Sequence, residues 1–244
     1  MKGINSILID QKPSGGSSMY IGRIMQTNLI TIAPEATLVE ANELIEKWAI
    51  DHLLVVDDNT NLVGIISDKD LKQYWASPAN TLSAHELGYI LEKIQVKMIM
   101  VKTVVTITSE TTIERAAFIM QSHNINSLPV MENEELVGII TSTDVMEVLL
   151  EAIGMNEESV RLCVLVSDRI GKIAEVSTIL RDLNINIQSL VTWPIRDYPD
   201  VYQLVLRLSG DDGPQAVAVL NKNNFKVLTR YVKDLSPYLP SLES

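Results

Sequence analysis

The chain has 244 residues, a formal net charge of −11 at pH 7 and a single cysteine. This length allows one large domain or two to three small ones, each with its own core. The excess of acidic residues argues against binding to nucleic acid or to an anionic membrane surface, because phosphate contacts need clustered Lys and Arg. No stretch approaches the roughly 18 consecutive apolar residues of a membrane-spanning helix, so we expect a soluble, cytoplasmic protein without disulfides.

The first residues of the chain end in a run of small and polar side chains, Pro13-Ser14-Gly15-Gly16-Ser17-Ser18. Such a composition is typical of a flexible linker. We therefore interpret residues 1–18 as an expression leader or a flexible lead-in, and Met19 as the native start.

One sequence pattern occurs twice between residues 19 and 155. With a shift of 75 residues, Ile24-Met25 falls on Ile99-Met100. After one extra residue near Asn59 the shift becomes 74, and Gly64-Ile65-Ile66 falls on Gly138-Ile139-Ile140. Self-similarity of this extent indicates a duplicated structural unit.

Each copy of the pattern follows the order β-α-β-β-α. Apolar residues at helical spacing predict a helix after the first strand, and polar turn residues between two apolar runs predict a hairpin. The predicted boundaries are 19–80 for the first copy, 81–96 for a connecting helix and 97–155 for the second copy. Because one such unit buries little surface, we expect the copies to pack face to face and to leave clefts for a small ligand.

The polar residues that recur in both copies are Ser67-Asp68-Lys69-Asp70 and Thr141-Ser142-Thr143-Asp144, each between a strand and a helix N-terminus. There an Asp can accept hydrogen bonds from two ribose hydroxyls, while free N–H groups and the helix dipole favour a phosphate. The same residues also fit a capping box, with the hydroxyl residue as N-cap and the Asp three positions later. On local chemistry alone the cap is the simpler interpretation, and the recurrence does not decide, since a duplicated cap repeats too.

Together with Ser127-Leu128-Pro129-Val130, these motifs resemble the CBS-domain family, whose pattern is hydrophobic-Pro-hydrophobic followed by Gly-hydrophobic-hydrophobic-Ser/Thr-x-x-Asp. The resemblance implies a sensor of adenine nucleotides. The residues that it implies for ribose and phosphate are Ser67, Asp70, Thr141 and Asp144. Those that it implies for the adenine clefts are Thr31, Ile32, Thr106 and Ile107, with His52, its counterpart Ser127, and Pro129 close to the ligand.

The two copies differ in chemically important positions. Leu54 stands where the second copy has Pro129, and Ser127 brings no charge where the first copy has His52. Asp68 in the first copy and Glu147 in the second lie near the expected phosphate position and disfavour a strongly polyanionic ligand. We therefore expect two unequal sites, one of them dominant.

From Ser159 the predicted order changes to β-α-β-β-α-β, the ferredoxin-like arrangement of a four-stranded antiparallel sheet with two helices on one face. The predicted elements are strand 160–166, helix 171–183, strand 186–192, strand 202–209, helix 213–223 and strand 226–231. Cys163 in the first strand is expected to be a buried core thiol, because nothing nearby would lower its pKa. The predicted domain covers 156–235, followed by a tail at 236–244.

This C-terminal region contains Ser167-Asp168-Arg169-Ile170-Gly171 and Leu183-Asn184-Ile185-Asn186, which resemble the signature of an ACT domain with Ile170 in place of a Pro. The resemblance implies that a small effector such as an amino acid binds at a domain interface. The implied effector residues are Asp168, Gly171, Asn184 and Asn186. An open alternative is that Gly171 only eases a turn and that the domain dimerises without a ligand.

The predicted fold class is thus α+β: a tandem CBS pair followed by a ferredoxin-like ACT domain, an arrangement that resembles AcuB-type acetoin utilization proteins. It implies a homodimeric, non-enzymatic regulator with an unidentified protein partner, whose regulatory ligand is an adenine nucleotide (AMP, ADP or ATP) or S-adenosylmethionine. The alternatives are an assembly scaffold with empty sites and an amino-acid sensor. The sequence offers no nucleophile paired with a base and no metal-ligand cluster, so neither catalysis, nor a required cofactor, nor a bound metal is expected.

Overall fold

The computed structural model describes residues 19–76, 89–155 and 158–240, without the side chains of residues 75 and 76. The predicted leader, the first half of the predicted connecting helix and the end of the predicted tail lie outside these ranges. The chain folds into two compact units, Met1–Met146 and Glu147–Ser244. Within the described residues, no helix is both long enough and apolar enough to cross a membrane.

The duplicated region has the predicted order of elements. The first copy contains β1 (Thr31–Ile32), α1 (Leu38–Trp48), β2 (His52–Val56), β3 (Leu62–Ser67) and α2 (Asp68–Ala76). The second copy contains α3 (Ile113–His123), β4 (Ser127–Glu132), β5 (Glu135–Thr141) and α4 (Ser142–Ala152). The strand expected before α3 is reduced to one parallel bridge, between Ile107 and Val130.

The helices of the copies begin and end with matching local signals. Thr37 is the N-cap of α1 and forms a capping box with Glu40, whose carboxylate accepts the backbone N–H of Thr37 at 2.7 Å. Thr112 accepts the backbone N–H of Arg115 at the start of α3. Left-handed residues, Ala49 and Asn124, end α1 and α3 respectively. Because α1 and α3 end in the same way, the chain enters β2 and β4 from equivalent positions in the two copies.

The segment that precedes each copy in sequence packs against the other copy. Ile21 and Gly22 donate backbone hydrogen bonds to the carbonyls of Thr111 and Ser109 in the second copy, at 2.8 and 2.9 Å. In the equivalent way, the backbone N–H groups of Val96 and Lys97 bond to Ala36 and Pro34 in the first copy, at 2.8 and 2.9 Å. Each copy is therefore completed by the segment that precedes the other copy in sequence.

The crossing continues to the strands that carry the predicted site. Gln26 exchanges two backbone hydrogen bonds with Ile139 of β5, and Val101 exchanges two with Ile65 of β3. The glycine next to each contact permits this approach, since a Cβ on Gly64 would lie 2.5 Å from Sδ of Met100. The small residue of the Gly-hydrophobic-hydrophobic motif thus makes room for the crossing segment.

The second unit shows the predicted β-α-β-β-α-β order in one antiparallel sheet with strand order β7-β8-β6-β9. Its elements are β6 (Ser159–Ser167), α5 (Lys172–Arg181), β7 (Ile187–Ile195), β8 (Tyr198–Ser209), α6 (Gly213–Lys222) and β9 (Val227–Leu228). Alternate residues of β6 face the two sides of the sheet: Leu162 and Val164 pack with the helices, while Cys163 and Leu165 pack under the C-terminal segment.

Two details of this unit differ from the prediction. The last strand is only two residues long, instead of extending from 226 to 231. The segment predicted as a tail packs at its beginning on the sheet, since Tyr238 and Leu239 contact the cluster around Cys163. Their apolar side chains cover the face of the sheet that the helices leave open, which is why this segment is held.

Cys163 should be chemically inert in the folded protein. It is 3% exposed, and burial raises the pKa of its thiol to about 11. Because the thiolate is the reactive form, iodoacetamide at pH 8 should leave Cys163 unmodified in native protein and alkylate it fully in urea, as measured by intact mass. Rapid alkylation without denaturant would contradict this assignment.

Candidate functional site

A cleft of about 370 Å³ surrounds Asp70 at the junction of the two copies, and we call it the Asp70 cleft. The end of β3 and the start of α2 form one wall, the crossing segment before the second copy forms another, and the turn between α3 and β4 forms a third. Its lining residues are His52, Ile65, Ser67, Lys69, Asp70, Val101, Thr103, Val104, Val105, Asn124, Ile125, Asn126 and Ser127. Neither copy alone could build this cleft.

Ser67 and Asp70 form the capping arrangement that local chemistry favoured. Oδ2 of Asp70 accepts the backbone N–H and the hydroxyl of Ser67 at 2.8 and 2.6 Å, and the Asp70 N–H donates to Oγ of Ser67 at 3.2 Å. Oδ1 of Asp70 has no hydrogen-bond partner within the described parts of the chain. The cap therefore holds the carboxylate in place and leaves one oxygen free at the cleft, so the cap and a binding role are compatible.

The equivalent carboxylate in the second copy is more fully occupied. Oδ2 of Asp144 makes the same bonds to Thr141, at 2.8 and 2.6 Å. In addition, Nε2 of Gln26 donates to Oδ1 of Asp144 at 3.1 Å. In the register of the repeat, Gln26 corresponds to Val101, which cannot donate such a bond. The two copies thus differ at the oxygen that a ligand hydroxyl would need.

Two polar groups that line the Asp70 cleft lack partners. Nδ1 of His52 is buried without a hydrogen bond within the described structure. Ser127 is only 6% exposed, and its hydroxyl makes no hydrogen bond with any described residue. Since buried polar groups are nearly always paired, the unpaired Nδ1 of His52 points to a ligand that supplies the missing partner, and the Ser127 hydroxyl on the same cleft is available to that ligand.

The burial of His52 determines the charge that its imidazole brings to the cleft. Burial lowers the pKa of His52 below its ordinary value of 6.5, although the nearby Asp51 and Asp70 carboxylates oppose this shift. The imidazole is therefore neutral at pH 7 in the unliganded protein. It can donate or accept a hydrogen bond, but it brings no positive charge to the cleft.

The cation of the Asp70 cleft is Lys69, which the sequence reasoning missed. Lys69 lies in the first turn of α2 and lines the cleft, whereas its counterpart in the second copy, Thr143, is uncharged. Asp68, expected to repel a phosphate, is bound by Lys72 at 2.5 Å. The sequence signal that could have identified Lys69 is the presence of a basic residue inside the Ser-x-x-Asp motif.

Seven residues predicted from the family resemblance do not line this cleft; two of them, Thr141 and Asp144, are the second-copy counterparts of Ser67 and Asp70. Ile107 and Pro129 are buried and bonded to each other through their backbones, and Thr106 is exposed beside them. Thr31 and Ile32 pair with β2 as strand β1. The residues that line the cleft are Thr103, Val104 and Val105, whose counterparts are 28–30. Residues 103–105 come directly before the bridge at Ile107, in the segment that crosses from one copy to the other.

The structure does not bring together the four predicted effector residues of the second unit. Asp168 and Gly171 follow the end of β6 that pairs with Val201, whereas Asn184 and Asn186 precede the start of β7, which pairs with Leu208 near the opposite end of the sheet. Gly171 has φ of 95° and Asn184 has φ of 59°, so both serve the local turns. Within one chain these four residues cannot contact a single small effector.

The lowered pKa of His52 leads to a pH dependence that can be measured. Below pH 6.5 the unfolded chain takes up a proton on His52 more readily than the folded chain, so this residue makes the first unit less stable as the pH falls. Well above pH 6.5 the imidazole is neutral in both the folded and the unfolded chain, so this destabilisation is absent; it reaches its full size only below the folded pKa of His52. NMR titration of the ring protons should give a pKa below 6.5, and His52→Gln should remove this part of the acid destabilisation. A measured pKa at or above 6.5 would contradict the burial argument.

The described residues contain no group of three or more His, Cys, Asp or Glu side chains that could hold a metal ion. The cleft offers hydrogen-bond donors and acceptors, one cation and an apolar wall from Ile65, Val101 and Val104. This arrangement can bind a small polar molecule that has an apolar surface and an anionic group.

Comparison with known proteins agrees with the duplicated architecture. The model of the CBS domain matches residues 21–77 and 96–151. A CBS domain-containing protein of Dictyostelium discoideum is 31% identical over 136 residues, which cover 55% of this chain and 94% of that protein. Inosine-5'-monophosphate dehydrogenase of Staphylococcus aureus is 30% identical over 170 residues, 68% of this chain but 30% of that enzyme.

Two solved structures are similar over the same region. A putative acetoin utilization protein (AcuB) from Vibrio cholerae is 28% identical, with a TM-score of 0.46 and coverage of 57% of this chain and 97% of that chain. The CBS domain pair of protein MJ0100, in complex with 5'-methylthioadenosine and S-adenosyl-L-methionine, is 27% identical, with a TM-score of 0.46 and coverage of 53% and 94%. Both TM-scores are too low to transfer function. The family match and the relative covered almost completely are sufficient for one conclusion: the chain belongs to the family of CBS domain-containing proteins.

Proposed function

We propose that this protein is a non-enzymatic regulator that binds a compact adenine nucleotide in the Asp70 cleft. The observation that carries the proposal is the convergence on one cleft of a free carboxylate oxygen, a helix N-terminus with Lys69, and the unpaired polar groups of His52 and Ser127. Membership of the CBS family supports the regulatory role. The identity of the ligand is inferred from the chemistry of the cleft.

Each part of the cleft has a role in the proposed complex. Oδ1 of Asp70 accepts a hydrogen bond from a ribose hydroxyl, while the capping bonds to Ser67 keep the carboxylate oriented. The N-terminus of α2 and Lys69 attract the phosphate. The backbone of residues 103–105 and the side chains of Asn124 and Asn126 meet the adenine, whose edge offers both donors and acceptors. His52 and Ser127 supply the remaining hydrogen bonds.

The size and charge of the cleft favour AMP or S-adenosylmethionine over ATP. A volume of about 370 Å³ is near the lower end for small-molecule sites. Lys69 is the only cation among the described residues that line the cleft, and the Asp70 carboxylate lines the cleft with it. A triphosphate would place several negative charges against one lysine, whereas a monophosphate or a sulfonium ligand would not.

Calorimetric titration of the full chain with AMP, ADP, ATP, S-adenosylmethionine and cyclic di-AMP tests this proposal, with GMP as the control for the base. We expect AMP or S-adenosylmethionine to bind with the highest affinity, with one dominant site per chain and no comparable heat from GMP. If no adenine compound bound at millimolar concentration, the protein would be an assembly scaffold with empty sites instead.

Regulation requires that the ligand bind two states of the protein with different affinity. Because the Asp70 cleft is made from both copies, a bound ligand contacts β3 of one and the α3–β4 turn of the other, and so favours one arrangement of the pair. We propose that an unidentified protein partner responds to this arrangement. Incubation with each nucleotide followed by chromatography should return it unchanged, and turnover would contradict the non-enzymatic proposal.

For the second unit we propose an ACT-like role in homodimer formation. Its support is the observed strand order β7-β8-β6-β9 with two helices on one face, together with the sequence resemblance. Sedimentation velocity on the full chain should give the mass of a dimer. An association with acetoin utilization is proposed on the resemblance of the domain arrangement and would be tested by growth on acetoin after deletion of the gene.

A further inference from the structure

A second cavity, of about 430 Å³, lies entirely within the second unit. It is bordered by the end of β6, the first turn of α5 and the connection between α6 and β9. The lining residues that matter to its chemistry are Ser167, Arg169, Lys172, Glu175, Phe225 and Lys226. We call it the Ser167 cavity. None of Asp168, Gly171, Asn184 and Asn186 lines it, so it differs from the effector site expected from the sequence.

The charge of this cavity is opposite to that of the protein. Three of its lining side chains are cationic and one is anionic, in a chain whose net charge is −11. Lys172 is paired with Glu175 at 2.7 Å. The guanidinium of Arg169 and the ammonium of Lys226 have no carboxylate partner within the described residues. Two cations thus remain available to an anion at this position.

Ser167 provides a second, independent indication of a ligand. It is the last residue of β6 and is 7% exposed, so it is more than nine-tenths buried. Its hydroxyl makes no hydrogen bond with any described residue, although Ser167 lines the cavity. The hydroxyl of this largely buried side chain is thus accessible from the cavity and unpaired among the described residues, and an anion in the cavity would accept its hydrogen bond.

The backbone at this position also favours an anion. Helix α5 begins after Gly171, which has no side chain with which to cap the first N–H groups. Those groups and the positive end of the helix dipole lie next to Arg169 and Lys172. The ring of Phe225, 6.0 Å from Nζ of Lys172, gives the cavity an apolar surface beside its charged groups.

From these observations we propose that the Ser167 cavity binds a small organic dianion that carries a carboxylate or phosphate group. Arg169 and Lys226 neutralise the anionic group, the Ser167 hydroxyl donates a hydrogen bond to it, and Phe225 packs against its carbon skeleton. This site is independent of the Asp70 cleft. The protein would accordingly respond to two classes of small molecule, one in each unit.

The proposal can be tested on the full chain by two-dimensional NMR with inorganic phosphate and with succinate, each compared with sodium chloride at equal ionic strength. We expect saturable shifts of the amides of 167–172 and 224–226. Arg169→Gln and Lys226→Gln should each weaken the apparent affinity at least tenfold. Arg181→Gln, at the far end of α5, is the matched control for loss of one positive charge and should change the affinity less than twofold.

Which anion binds more tightly assigns the ligand to the phosphate or the carboxylate class, and either result supports the proposal. Ser167→Ala should weaken binding while leaving the amide spectrum of the unliganded protein otherwise unchanged, which separates loss of the ligand contact from unfolding. Absence of saturable shifts at 167–172 and 224–226 with both anions would overturn the proposal. So would equal weakening by Arg169→Gln and Arg181→Gln.

Discussion

Replacement of Asp70 by alanine should reduce the affinity for the adenine ligand by about tenfold to a hundredfold. The carboxylate offers its free Oδ1 to a ribose hydroxyl, and a hydrogen bond to a charged group contributes about 1.5 to 3 kcal/mol, which corresponds to this range of affinity. Asp144→Ala should have a smaller effect, because Gln26 already occupies Oδ1 of that carboxylate at 3.1 Å. Calorimetric titration of the two variants measures the difference.

Asp70→Ala also removes a helix cap, so a control must separate stability from binding. Thr37→Ala removes the capping box of α1, which is not part of the cleft, and should cost a similar 0.5 to about 2 kcal/mol of stability without changing the affinity. Gln26→Val gives the second copy the residue that the first copy has at Val101, and should strengthen binding near Asp144. Equal loss of affinity in Asp70→Ala and Asp144→Ala would contradict a dominant cleft.

Ile21→Ala should destabilise the first unit by about 2 to 4 kcal/mol, the range for truncating a fully buried aliphatic side chain. Ile21 is 0% exposed, and its backbone donates to Thr111 of the second copy. The side chain therefore belongs to the core of the copy that it does not precede in sequence. The expected result is faster amide hydrogen exchange in β4 and β5 of the variant, measured by mass spectrometry.

Arg23→Ala is the control for this prediction, because Arg23 lies in the same crossing segment but is exposed and makes no ion pair within the described structure. It should change stability by less than about 0.5 kcal/mol. If Ile21→Ala left exchange in β4 and β5 as slow as in the wild type, the exchanged arrangement of the lead-in segments would be wrong.

The duplication and the position of Ser67 and Asp70 could be predicted because both are local. The 75-residue register shows the repeat directly, and an Asp three residues after a Ser at the start of a helix has few possible geometries. The hydrogen bonds at 2.6 and 2.8 Å show that this motif is a cap. The cap and the binding site were alternatives in the sequence, whereas in three dimensions the same carboxylate can serve both.

The other walls of the Asp70 cleft could not be predicted, because they depend on which copy each segment packs against. Hydrophobic periodicity identifies a strand or a helix but carries no information about its partner. The crossing of the lead-in segments brings residues 103–105 to β3 and Gln26 to Asp144. The family resemblance implies Thr106 and Ile107 for the adenine cleft, whereas the residues of this segment that line the Asp70 cleft are 103–105, directly before them in sequence.

In the second unit the order of elements was predictable from alternating and helical patterns, but the separation of the predicted effector residues was not. A signature lists residues that share a motif, while the sheet separates Asp168 from Asn184 by the length of β6. The cationic residues of the Ser167 cavity come from two segments far apart in sequence, 169–172 and the connection that contains Lys226, and only the fold brings these segments together.

Amide hydrogen exchange of the full chain with and without saturating AMP tests the central claim most directly. We predict slower exchange in two segments at once, 67–71 and 101–105, since both line the Asp70 cleft, with a smaller effect in the equivalent segments 141–145 and 26–30. Unchanged exchange in 67–71 and 101–105, or protection confined to the second unit, would contradict the assignment of the adenine site to this cleft.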